Sequence, residues 1–304
     1  MPTLDLNNTF GAFLIGTLVS SMLFGVTGIQ TWYYFQNYSD HIFVQSVVLI
    51  ILVAESLHIV FCIHATYHYT ILNFSNLEEL GVVVWSITAT LLVTSTIVLV
   101  VQLFYARRIY VVSHKNVGLT ALIGTLAVGK FAVGLGLSIR ADEQPFFPDF
   151  VQLQAPWIYT ASVLPALNDA LIAASFSYYL HTSRSGLRST DTLINKLIVF
   201  AINNGALTSV FDIIVVIFVT PTPPLAFDTF VKVVGNLYSN SMLATLNSRR
   251  STAKSILPTA LELSAPSGAY KGANGSITLA RGSEGVDRKG SGNLGEGLAE
   301  MPVI

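Results

Sequence analysis

The sequence predicts an all-α polytopic membrane protein, a bundle of seven transmembrane helices with the N-terminus outside, the C-terminus cytosolic and a disordered C-terminal tail. Three observations predict it. Apolar residues make up 52% of the 304 positions and charged ones only 11%, and the mean hydropathy is +0.61, well above that of a water-soluble domain. Seven stretches approach the roughly 20 apolar residues that cross a bilayer core. Lys and Arg gather on alternate connections between them, the asymmetry that orients membrane helices.

In chain order, residues 1–9 form a short extracellular or lumenal segment. Asp5, with no Lys or Arg before the first apolar run, and the length of that run argue against a cleavable signal peptide. The membrane domain occupies 10–250, with spans at 10–35, 41–65, 81–105, 118–139, 156–180, 197–220 and 224–246. One set of connections carries Arg107, Arg108 and Lys115, then Arg184, Arg188 and Lys196, then Arg249, Arg250 and Lys254. The other carries Glu78 and Glu79, then Arg140 against Asp142, Glu143 and Asp149. The first set is therefore cytosolic. The 1–2 connection, QNYSDH, is silent. Sequons at Asn7 and Asn73 fall on the outer side and are glycosylation candidates, whereas those at Asn37 and Asn274 fall inside. The 4–5 connection, ADEQPFFPDFVQLQA, reads as a long loop capping the outer mouth. Residues 251–304, rich in Ser, Gly and Ala, read as a disordered cytosolic tail whose hydroxyls invite phosphorylation and partner recruitment.

Ionisable side chains at membrane depth normally face the bundle interior. Here they are Glu55, His58, Lys130, Asp169, Asp212, Asp228 and Lys232. Glu55, His58 and Cys62 share one face of the second span. Asn204, Thr208 and Asp212 repeat every fourth residue on the sixth span, and Asp228, Lys232, Asn236 and Asn240 do so on the seventh. Such stripes must face each other or a wet cavity. They predict an interior ligand-binding pocket that opens towards the outer half, lined by Glu55, His58, Asp169, Asn204, Thr208, Asp212, Lys232 and Asn236 with Trp85 and Trp157. The plainer alternative is an interhelical hydrogen-bond clamp.

Several chemistries lack their parts. His64 and His68 stand one turn apart as metal ligands do, but spans six and seven hold no histidine, so no metal site is assigned. Asp228 and Lys232 match a retinal lysine and counter-ion in spacing, but 81–105 holds no carboxylate. No cofactor is implied. The Tyr105-Ala106-Arg107 end of span three lacks the acid of the G-protein-coupled receptor motif. No catalytic constellation is complete, so no enzyme activity is expected. Cys62 alone cannot form an internal disulfide. With net charge -1 and 16 dispersed basic residues, nucleic acid is not an expected partner.

Specific runs resemble a family of seven-span proteins from basidiomycete fungi, grouped by a domain of unknown function, DUF6534. They are Gly16 and Gly25-x-x-x-x-Gln30-x-x-x-Tyr34, Glu55-x-x-His58 through Tyr69, Gln102 through Ile109, Thr190-Asp191-x-Leu193-Ile194, Asn204-Gly205, and Leu237 through Ser241 with Leu246-Asn247-x-Arg249. The resemblance spans roughly residues 10–250. It implies a fungal integral membrane protein and no particular substrate, cofactor or catalytic residue.

Together these readings favour a receptor-like sensor in the plasma membrane or another membrane of the secretory route. Its partners would be the lipid bilayer, a small-molecule ligand and a cytosolic protein meeting the loops and tail, with Arg107, Arg108, Arg184 and Arg188 as basic anchors. A small-solute or proton-coupled transporter is the alternative, and an intramembrane metal-dependent hydrolase is disfavoured. The orientation is checked by an epitope tag placed after Ile304. Antibody should reach it only in permeabilised cells, and labelling of intact cells would invert the topology.

Overall fold

The computed structural model describes residues 11–74, 76, 79–143, 146–182, seven positions between 199 and 217, 224–264, 270–271 and 277–278. Among these, six α-helices dominate. They are α1 (Ala12–Asn37), α2 (Ile42–Tyr67), α3 (Trp85–Val112), α4 (Val117–Glu143), α5 (Phe147–Thr182) and α6 (Pro224–Ser264). A π-turn over His68–Leu72 extends α2, and a 3₁₀ turn over Glu79–Gly81 precedes α3. A two-residue antiparallel ladder joins β1 (Tyr270–Lys271) to β2 (Ile277–Thr278). The described positions Val199, Gly205, Ser209, Val210, Ile213, Ile214 and Ile217 are all helical.

The helices are inside-out relative to those of a water-soluble protein. On α1 the buried positions Phe13, Thr17, Ser20, Thr27, Thr31 and Tyr34 are largely small and polar. Ile15, Met22 and Ile29, seven residues apart on the opposite face, are 61%, 73% and 68% exposed. Large side chains so exposed suit hydrocarbon, while hydroxyls turned inward find partners. Among the described residues, four helices are long and apolar enough to cross a membrane: α1, α2 with its π-turn, α3 and α4. The chain is a helical membrane protein.

Successive helices α1 to α5 pack antiparallel. Thr17 meets Thr66, His64 meets Ser86, Lys130 meets Ser95, and Arg140 meets Gln154. The last helix breaks the alternation. Asn236 bonds to Ser20, Asn240 to the Leu23 carbonyl and Asn247 to the Gln30 carbonyl, so α6 runs parallel to α1. Tyr105 beside Thr245 and Tyr238 on Asp169 give it the same sense as α3 and α5. Its apolar side closes a core with Val48, Ile51, Ile97, Val101, Phe104, Met242 and Leu243.

Two glycines permit this packing. A Cβ on Gly16 would lie 2.5 Å from the Thr229 methyl of α6. One on Gly134 would collide with the Ser95 hydroxyl of α3. At both crossings only glycine lets the helices approach so closely.

Several sequence boundaries move. The expected 4–5 loop is largely helix, because Pro148 occupies the first turn, where its missing N–H costs nothing, and α5 continues through Pro156 and Pro165. Helix α3 starts at Trp85, not Gly81, because Val82 bridges to Phe146 and its carbonyl accepts from the Tyr69 hydroxyl at 2.6 Å. It then runs seven residues beyond Tyr105, which puts Arg107 and Arg108 in its last turns instead of a loop. Residues 251–264, assigned by sequence to the tail, continue α6.

The silent 1–2 connection turns out to hold the bundle's best-built contact. Asp40 receives Arg249 through both carboxylate oxygens, at 3.2 and 2.5 Å, and accepts from the Tyr34 hydroxyl at 2.9 Å. Arg249 also lies 4.7 Å over the Tyr38 ring, whose hydroxyl donates to the Asn247 carbonyl. Burial alone would raise the Asp40 carboxyl, but the hydrogen bonds and charge of Arg249, helped by Tyr34, hold it below its ordinary 3.8. A depressed carboxyl contributes stability that is present above its unfolded value and lost as pH falls through the folded one. Asp40→Asn should therefore lower stability by about 1–3 kcal/mol near neutrality, with the difference from wild type closing only below about pH 4. Denaturant unfolding of the reconstituted protein at pH 7 and pH 3 checks this.

Candidate functional site

Helix α6 carries its polar residues at Lys232, Asn236 and Ser239, the i, i+4, i+7 pattern of one face, and that face meets α1 and α2. All three are fully buried, as are Glu55 and His58 opposite. Ser239 donates to Glu55 Oε1. Asn236 Nδ2 lies 2.6 Å from Ser20 Oγ. Lys232 Nζ is 3.2 Å from the centroid of the Phe13 ring, a cation–π contact. His58 faces Cys62 Sγ at 3.9 Å. Among the described residues Glu55 Oε2 and Asn236 Oδ1 are buried acceptors with no donor. Four of the expected pocket residues, Glu55, His58, Lys232 and Asn236, are thus fully buried on the facing sides of α2 and α6.

Asp169 lies elsewhere. On α5 it accepts from Gln102 of α3 at 3.2 Å and from the Tyr238 hydroxyl of α6 at 2.6 Å. Gly205 packs against the Asp169 backbone and Ala173. Asn204, Thr208 and Asp212 lie outside the described residues, as do Arg184, Arg188 and Asn7. The side chain of Asp228 is likewise outside them, so its pairing with Lys232 is not assigned.

A cavity of about 80 Å³ opens between α3, α4, α5 and α6. Its polar lining is Thr94, Ser95, Lys130, Ser162 and Tyr238, with Pro165 beside them. It lies in the half of the bundle nearer the Val82–Phe146 end. Tyr238 joins it to Asp169, but the expected aromatic walls are absent. Trp85 stands outside against Phe61 and His64, and Trp157 lies under Arg140. Sequence reasoning set Lys130 aside and missed Thr94, Ser95, Gln102 and Tyr238. Lys130 was findable as the lone charge in a Gly-rich apolar helix, whereas the others are ordinary interior residues by pattern.

The remaining candidates take structural roles. Arg107 is exposed and stacks 4.5 Å over Phe43. Arg108 is buried between Phe104 and Phe176, so it cannot serve as a surface anchor; α3 continues past Tyr105 and turns it inward. Asn73 Nδ2, the atom a glycan would need, is hydrogen-bonded to the His68 carbonyl at 3.2 Å. His64 pairs with Ser86 and His68 with Asn73, their rings 6.5 Å apart. Among the described residues no three His, Cys, Asp or Glu side chains cluster as metal ligands do.

Residues 165–251 match the family of unknown function DUF6534. The matched stretch takes in Asp169, Gly205 and the whole polar stripe of α6. The Glu55 and Gln102 runs that also suggested the resemblance fall outside it. No curated protein matches the chain.

If Ser239 and Glu55 form one unit across α2 and α6, their removals will not add. A double-mutant cycle with Ser239→Ala and Glu55→Gln should give a coupling of about 0.6–1.7 kcal/mol, the range for hydrogen bonds within membranes. Unfolding in bicelles reads it, and additivity would mean the contact contributes nothing.

Proposed function

We propose that the protein is a receptor-like sensor, a seven-span bundle in which α6 is the two-state element. One observation carries the reading. Helix α6 supplies Ser239 to Glu55, Tyr238 to Asp169 and part of the wall of the cavity, and further along it carries Arg249, locked on Asp40. A change in the cavity therefore acts on the helix whose far end holds the cluster beside the cytosolic tail.

The seven-span count has a geometric argument behind it. We assign the remaining pass to 183–223, a reading supported by α5 and α6 running in the same sense. Val199, Val210, Ile213 and Ile217, all exposed, fit the lipid side of such a pass. With the basic residues cytosolic, the Asp40–Arg249 end faces the cytosol and the cavity lies towards the outside. The membrane is the plasma membrane or another of the secretory route, and the cytosolic partner meets the tail and the exposed Arg107. No catalytic role is part of this reading.

Proton-coupled transport is the second reading, favoured by two buried carboxylates that each accept from a hydroxyl of α6. The purified protein in liposomes under a pH gradient separates the two. A sensor should dissipate the gradient no faster than empty liposomes. Flux that falls in Glu55→Gln or Asp169→Asn would instead establish transport and overturn the sensor.

A further inference from the structure

The cavity between α3, α4, α5 and α6 is apolar over most of its wall, with Leu91, Val98, Leu137, Phe150, Ile158 and Val234 around it. Most of its polar groups are already engaged. Lys130 has Ser95 among its partners, the Tyr238 hydroxyl donates to Asp169, and Ser162 donates to the Ile158 carbonyl. Thr94 differs. Thr90 and Thr96 on the same helix donate to the carbonyls of Ser86 and Leu92, four residues back, which is how a helix satisfies its own hydroxyls. Thr94 lines the cavity and is only 4% exposed, yet its Oγ1 has no partner among the described residues. An added Cβ on Gly235 of α6 would come 3.2 Å from the Thr94 methyl, so α6 packs closely on this residue without giving it a partner.

Size and chemistry narrow what this space can hold. A volume of about 80 Å³ excludes the ligands that fill pockets of several hundred Å³. An apolar cavity of roughly 150 Å³ accommodates benzene, so half that volume suits about three or four heavy atoms. An ordered water needs at least about two polar partners, and one spare hydroxyl among aliphatic walls does not supply them. Lys130 is already engaged, so nothing in the wall singles out an ion. We propose that the cavity binds a small neutral amphiphile of about three or four heavy atoms, a short-chain alcohol or ketone. Its oxygen pairs with Thr94 Oγ1, and its carbons fill the space against Leu91, Val98, Leu137 and Val234. A threonine hydroxyl both donates and accepts, so it serves a carbonyl and an alcohol alike. This deepens the sensor reading by naming the class of its ligand, and it rests on that reading only for what binding does next, since the guest lies against Val234 and Tyr238 of the helix proposed to move.

The test titrates the full chain in nanodiscs with 2-propanol and with acetone. Binding is read by saturation-transfer NMR from the protein to the ligand methyls, with empty nanodiscs correcting for partition into lipid. So small a guest binds no more tightly than roughly tens of micromolar, and saturation is expected at about millimolar concentration. Acetone should compete with 2-propanol, and cyclohexanol, too large for the space, should not. Thr94→Val keeps the shape of the wall and should weaken both ligands about fivefold, the loss of one hydrogen bond. It should leave xenon binding intact, because the apolar space remains. Ala161→Leu fills the cavity from its α5 wall and should abolish the binding of 2-propanol and xenon together, which decides the matter if Thr94→Val does not fold. A signal no greater than that of empty nanodiscs, an unchanged 2-propanol affinity in Thr94→Val or undiminished binding in Ala161→Leu would overturn the proposal. None of these outcomes touches the sensor reading, which the liposome flux decides.

Discussion

Hydrocarbon offers a polar side chain no partner, and the polar stripe of α6 is the constraint on which the rest of the bundle depends. Lys232, Asn236 and Ser239 on one side and Tyr238 on the other must all be satisfied by protein. They can be satisfied together only if α6 stands between α1 and α2 on one flank and α3 and α5 on the other. That requirement explains why the last helix packs parallel to the first. It also explains why the inward face of α1 is built of Thr and Ser rather than Leu, since those hydroxyls meet the asparagines of α6.

Packing then sets what the interior can do. Helices meeting through glycines and hydroxyls come close, as at Gly16 and Gly134, and close helices leave little empty space. On the Glu55–Lys232 side the side chains are fully buried, and the ammonium lies on the face of Phe13. The Lys130 side keeps a cavity between α3, α4, α5 and α6, with Pro165 of α5 in its wall. An interior of this kind suits protons, waters and molecules of a few atoms better than a large organic ligand. A bundle organised in this way has one helix reporting on both polar clusters and on the Asp40–Arg249 clamp, whichever of the two functional readings holds.

Much of this was legible in the sequence, for physical reasons that can be named residue by residue. Charged and amide groups at membrane depth must turn inward, so Glu55, His58, Lys232 and Asn236 are recognisable as interior from spacing alone. What spacing leaves open is which inward face meets which, and the contacts of Asp169 with Gln102 and Tyr238 could not be read from it. Tyr238 and Gln102 were hidden because tyrosine and glutamine near a helix end look like interfacial residues. The 147–155 stretch read as a loop because a proline, an acid and aromatics suggest one, although proline in a first turn breaks nothing. Asp40 was invisible for a different reason. Its meaning lies in Arg249, 209 residues away, and no local pattern reports a contact of that separation. Several of the runs that suggested the resemblance, Gln30 and Tyr34 with Asn247 and Arg249 among them, are the two halves of these long-range contacts.

The parallel register of α6 on α1 carries the account, since it places the polar stripe inside. Disulfide trapping in a Cys62→Ser background measures it directly. Thr27 and Asn240 lie within hydrogen-bond reach, 3.3 Å apart, so the pair Thr27→Cys with Asn240→Cys should cross-link under mild oxidation, and Thr27→Cys with Thr229→Cys should not. Cross-linking of the second pair and not the first would mean that α6 runs the other way, and the arrangement of both polar clusters would fall with it.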